Sequence, residues 1–136
     1  MSVQTEPHKS APNHASDDLA VDVAELGAMV LGRWAEIRTR ARTLCEDPAL
    51  WKIEGQPMAE HRERVLGQLS LLVDAGGVLL SFPESVGGKD NPGGNIANFE
   101  QLVLADPSLQ IKSGVQWGLF GAAVTHLGTE KQHAAW

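Results

Sequence analysis

The sequence predicts an all-α fold, and three observations carry that prediction. Apolar residues recur at spacings of three and four along most of the chain, the period of a helix with one buried face. Capping Asp, Asn and Thr residues and first-turn prolines stand where those patterns begin. No strand-like alternation of useful length appears, and there is no internal repeat. With 136 residues, 43% of them apolar, the chain has the size of about one domain and enough material for a core.

Residues 1–17 lack the apolar core of a secretory signal and have the composition of a disordered tail, which leaves 18–136 as the helical domain. Leu19, Val23, Leu26, Val30, Trp34, Ile37, Ala41 and Leu44 then mark one long amphipathic helix. Asp17 and Asp18 are its candidate caps, Glu36 and Arg40 are spaced to pair at i,i+4, and Asp47-Pro48 ends it. Arg33, Arg38, Arg40 and Arg42 read as its solvated face. A second helix follows Pro57, burying Val65, Leu69 and Leu72 and stopping at Gly76 or Gly77, with His61 exposed among charges.

The stretch "VLLSFPESVGGKDNPGGN" holds four glycines and two prolines in eighteen residues and predicts a loop. Its Gly88-Lys89 is not a phosphate cradle, because Pro83 stands where the first glycine belongs and Asp90 replaces the hydroxyl residue. Asn95 is placed to cap a third helix with Ile96, Phe99, Leu102 and Val103 as its stripe. Asp106-Pro107 opens a fourth that runs to Gly128, and Thr129 caps a short fifth.

The fourth helix is apolar nearly all round from Val115 to Leu127, which predicts burial on more than one side. Gly114, Gly118 and Gly121 would fall on one α-helical stripe. Each costs roughly 0.5–1 kcal/mol relative to alanine, so a neighbouring helix or a ligand must lie close against that face. His126, Glu130 and His133 stand at i, i+4 and i+7, but Gly128-Thr129 looks like a helix stop between them, and no metal site is expected.

Eleven basic against seventeen acidic residues, without a basic block, argues against nucleic acid as a partner. Cys45 is the single cysteine and reads as a small core residue in a reducing compartment. The longest uncharged run, Ser113 to Gly128, is shorter than the ~20 residues that cross a bilayer. These features predict a soluble, cytoplasmic protein with no membrane partner.

Three stretches in order, "SFPESVGGKDNPGG", "FEQLVLADPSL" and "GVQWGLFGAAVTHLGTEKQHAAW", resemble the amino-terminal helical region of the flavin-dependent acyl-CoA oxidases, relatives of the acyl-CoA dehydrogenases. The resemblance covers roughly residues 19 to 136 and is strongest from Ser81 onward. Phe82, Pro83, Glu84, Gly87 and Gly88 match the family's loop. Gly118, Leu119, Phe120 and Gly121, then Leu127, Gly128, Thr129 and Glu130, match the pattern of the oxidase branch.

The resemblance implies a homo-oligomeric enzyme of fatty acid β-oxidation, each subunit built of this helical bundle, a β-domain on FAD and a carboxy-terminal bundle. A glutamate of the last bundle takes an α-proton of the fatty acyl-CoA while hydride passes to the flavin and then to oxygen. It assigns no catalytic, flavin or metal residue to this chain, which is expected to be an inactive fragment whose coding frame continues past Trp136. It does imply Gln116, Trp117 and Phe120 as residues facing the acyl tail, and for the loop Phe82 to Gly94 a role in domain packing rather than contact with the flavin. The alternative is a stand-alone helical interaction module that has lost catalysis.

Overall fold

The computed structural model describes residues 21–135, so the disordered-tail expectation, Leu19 and the cap candidates Asp17 and Asp18 lie outside the described residues. Every regular element among the described residues is helical, as expected: α1 (Val23–Leu31), α2 (Ala35–Cys45), α3 (Met58–Asp74), α4 (Pro92–Phe99), α5 (Pro107–Ser113), α6 (Ala122–Leu127) and α7 (Glu130–Ala135). A π-helical segment, Gly114–Gly121, joins α5 to α6, and short 3-10 turns fill several other junctions. No helix among the described residues is long and apolar enough to cross a membrane.

The long first helix of the sequence reading is two helices. Gly32 adopts φ +59, a left-handed conformation open to glycine, and a 3-10 turn over Gly32–Trp34 redirects the chain into α2. Asp22 caps α1, its carboxylate accepting from the Ala24 and Glu25 amides at 2.9 and 3.0 Å. Beyond the break the apolar stripe is used as the spacing suggests, with Ala41 and Cys45 buried. Before the break it is not: α1 buries no residue.

The core forms where the end of α2, the turn Pro48–Leu50, α3, the 3-10 turn Glu100–Leu104 and α5 meet. Leu50 and Leu109 are fully enclosed there, beside Val65, Leu69, Leu72 and Leu102. Each such leucine contributes about 1.5–3 kcal/mol of burial. Val65, Leu69 and Leu72 are the face expected of α3, which stops as predicted at Gly76, left-handed at φ +73.

The third helix starts earlier than its stripe suggested. Asn91, not Asn95, is the cap, its side-chain oxygen accepting from the Gly94 amide at 2.9 Å with Pro92 in the first turn. The helix then tightens into a 3-10 turn at Glu100, so its buried residues are Gly94, Ala97, Gln101 and Leu102. Ile96 and Val103, predicted inward, are 65% and 45% exposed. Asp106 and Pro107 open α5 as read from the sequence, the carboxylate accepting from the Ser108 amide at 2.8 Å.

Candidate functional site

The chain between α3 and α4 is a loop folded on itself. The carbonyls of Leu79, Leu80 and Phe82 accept from the amides of Lys89, Asn91 and Asp90, at 3.0, 2.6 and 2.9 Å. Gly88 passes so close to Phe82 that a β-carbon there would stand 1.9 Å from the Phe82 carbonyl oxygen. The Phe82 ring in turn covers Gly121 of the π segment, where an added β-carbon would meet it at 2.8 Å. The loop therefore packs against the π segment through Phe82.

Between this loop, α2, α4 and the π segment lies a cleft of about 1050 Å³. Leu44, Leu72, Leu80, Phe99 and Trp117 supply its apolar wall, and Gly114 and Gly118 bring the backbone to its surface. Polar groups border it, among them Arg40, Lys89, Asn95 and Asn98. Such a space, mostly apolar with a few polar groups, suits a ligand with an extended apolar part and a polar end.

The π register decides which of the predicted residues reach the cleft. Its i→i+5 bonds take more residues per turn than an α-helix, so the α-helical stripe does not hold through this run. Gly114, Trp117 and Gly118 share the cleft wall, while Gly121 turns to Phe82. The single glycine stripe is thus split. A β-carbon added at Gly114 would stand 3.1 Å from the Phe99 ring and one at Gly118 would meet nothing within 4 Å, so the expectation of a close neighbour along the whole stripe holds at two positions and fails at the third.

Of the three residues implied to face an acyl tail, Trp117 lines the cleft and packs against the core. Gln116 is exposed and Phe120 is 50% exposed, and neither belongs to the cleft wall. The expected burial of the fourth helix on several sides is also corrected. Val115 and Leu127, away from the cleft, are 45% and 84% exposed, and Leu119, at its edge, is 68% exposed.

Arg33, Arg40 and Arg42 are exposed, as expected of a solvated face, and Arg38 is half-buried; the arginines of α2 also tie elements together. Arg38 donates to Glu100 and to the Leu31 carbonyl, Arg42 to the Gln101 side chain at 2.7 Å, and Arg40 to the Ala75 carbonyl rather than pairing with Glu36. Arg33 stacks on Trp34, 4.4 Å from the ring centre. Cys45 is buried as expected, donating to the Gln101 carbonyl at 3.3 Å, and burial pushes its thiol above the ordinary value. His61 is half-buried against Arg64 instead of exposed. His133 turns to the Val124 carbonyl at 3.0 Å, and no group of three potential metal ligands converges among the described residues.

Sequence reasoning passed over the residues that shape the cleft opposite Trp117. Gly77 is more than a helix stop: an added β-carbon would lie 2.8 Å from Asn98 Nδ2, so α4 rests on that glycine. The Gly76-Gly77 doublet was the signal available, since a stop needs only one glycine.

A flavin dinucleotide requires free main-chain donors for its pyrophosphate. In the glycine-bearing loop the amides of Gly87, Gly88, Lys89 and Asp90 all donate to the chain's own carbonyls. That loop therefore offers no free run of amides to cradle a pyrophosphate. The two acids bordering the cleft, Asp47 and Asp74, end or cap helical turns, Asp47 accepting from the Ala49 amide at 2.9 Å. Compared with known families, curated proteins and solved structures, the chain matches no family model, no curated protein and no solved structure.

Proposed function

We propose that this chain is the acyl-chain-lining helical part of a flavin-dependent acyl-CoA oxidase, the reading implied by its resemblance to that family. The observation that supports it best is the cleft under the π segment, whose apolar wall of Leu44, Leu72, Phe99 and Trp117 suits a fatty acyl tail. These residues bind and exclude water; none of them moves a proton. The base and the flavin site belong, in this reading, to other segments of the enzyme, and this chain alone yields no peroxide from acyl-CoA.

Titration of the purified chain with palmitoyl-CoA, followed by tryptophan emission, tests the reading. A saturable change with palmitoyl-CoA that coenzyme A alone does not produce, and that Trp117→Leu abolishes, is the expected result. No saturable response, or an equal response to coenzyme A alone, overturns it.

A second reading, a helical interaction module, is favoured by α1, where Val23, Met29 and Val30 are 79%, 73% and 68% exposed on a helix that buries nothing. It predicts an unresponsive cleft together with self-association or capture of a partner through α1.

A further inference from the structure

The helix α1 is nine residues long, and isolated helices shorter than about 12–15 residues are marginal in water, so it needs a packed face. Its own chain supplies none: no residue of α1 is buried, and it is tied down by the Asp22 cap and the bond from Arg38 to the Leu31 carbonyl. Val23, Leu26 and Val30 fall within about 60° of one another around the helix, and all three are exposed. Gly27 adjoins this stripe. A glycine weakens a helix interior, and a β-carbon there would meet nothing within 4 Å, so the chain's own packing does not call for one.

The stripe is complementary to itself when two copies run antiparallel. Setting Leu26 over Gly27 of a second copy brings Val23 opposite Val30 of that copy, and the two-fold axis repeats both contacts. The bare Gly27 backbone is then the hole that receives a leucine. Charge fixes the direction. The amino end of α1 carries Asp22 and Glu25, and Arg33 follows its carboxyl end. A parallel pair would place like charges together at each end, whereas an antiparallel pair sets Asp22 of one copy beside Arg33 of the other and opposes the helix dipoles. Both groups are at hand: Asp22 caps through Oδ1 alone, and Arg33, exposed and stacked on Trp34, makes no hydrogen bond among the described residues.

We propose that α1 is a self-association surface, pairing antiparallel with α1 of a second copy of this chain to form a two-fold dimer. The stripe is small, which makes the dimer a weak, concentration-dependent one. No residue of α1 borders the cleft, so the pairing gives the self-association of the second reading its partner and geometry without depending on what the cleft takes.

Sedimentation equilibrium of the full chain, from about 1 to about 500 μM to span a weak association, tests the dimer. The weight-average mass is expected to rise from one chain toward two and no further. Val30→Lys, at an exposed position that leaves the core untouched, is expected to raise the dissociation constant about tenfold or more, with an unchanged urea midpoint at low concentration. Chains carrying Val23→Cys and chains carrying Val30→Cys, mixed and treated with a short bismaleimide, report the direction, since Cys45 is buried. They are expected to join to each other several times faster than either joins to itself. A monomer at every concentration, the stripe then being left to another part of the chain or to a different partner, overturns the proposal. So does growth beyond two chains, a dimer indifferent to Val30→Lys, or self-linking as fast as linking between the two variants.

Discussion

The carbonyl oxygen of Phe82 occupies the place where Gly88 would carry a side chain, 1.9 Å from a β-carbon built there. The two residues are six positions apart and close a tight loop whose aromatic ring then seats on Gly121. Backbone against backbone leaves nothing that can rotate away. A β-carbon built on Gly118, by contrast, meets nothing within 4 Å.

These two glycines should respond oppositely to the same change. Gly88→Ala is expected to cost at least about 3 kcal/mol, at the upper end of overpacking effects, since main chain must move. Gly118→Ala is expected to gain up to about 1 kcal/mol from helix propensity alone. Urea midpoints of the two variants check the pair, and equal shifts would contradict the packing described.

Gly118→Leu separates stability from binding. A β-carbon at Gly118 meets nothing within 4 Å and Gly118 borders the cleft, so the variant should fold while its side chain takes up space beside Trp117. On the proposed function its response to palmitoyl-CoA weakens more than its response to butyryl-CoA. Unchanged titrations with both would show that an acyl tail does not lie along this wall.

Asp106 combines a cap with a buried charge. Asp106→Ala removes the acceptor for the Ser108 amide and strips Arg64, whose side chain is 13% exposed, of its carboxylate. Cap loss costs about 0.5–2 kcal/mol and the broken buried pair about 3–5, so a combined loss of about 4 kcal/mol is expected. Asp106→Asn keeps the cap acceptor and should recover about 1 kcal/mol of it by thermal or urea unfolding.

Glu100 makes one acid-sensitive contribution. Its hydrogen bond from Arg38 holds its carboxyl below the ordinary glutamate value. A depressed folded-state value means that stability is present above the unfolded pKa and is lost as pH falls through the folded one. The Arg38 contribution should therefore be intact at neutral pH and fade below about pH 4. Because the Glu100 side chain is 43% exposed, the effect is small and screened by salt. Arg38→Met should reduce the pH dependence of the urea midpoint in that range, and an unchanged profile would show that the pair contributes nothing.

The local chemistry of the chain was legible wherever it acts through neighbours in sequence. Helical periodicity, the Asp106-Pro107 start, the Gly76 stop and the buried face of α3 follow from spacing and capping, which a segment satisfies by itself. Loop character from Val78 to Asn91 follows in the same way, from glycine and proline content. Where a competing signal lay in a single residue, the periodic stripe misled: Gly32 breaks the first helix, and Asn91 outranks Asn95 because Pro92 can stand only in a first turn.

Other features depended on which surfaces meet. The ties made by the arginines of α2 do not show in sequence because their partners, Glu100, Gln101 and the Ala75 carbonyl, are distant along the chain. Gln116 and Phe120 share an apolar run with Trp117, but the π register sends Trp117 alone of the three to the cleft, and an i→i+5 turn has no periodic signature in an almost uniformly apolar stretch. The sequence by itself determined the helices, most of their caps and which residues are apolar. Only the tertiary structure decided which apolar faces are covered, because coverage is a property of two surfaces and periodicity describes only one.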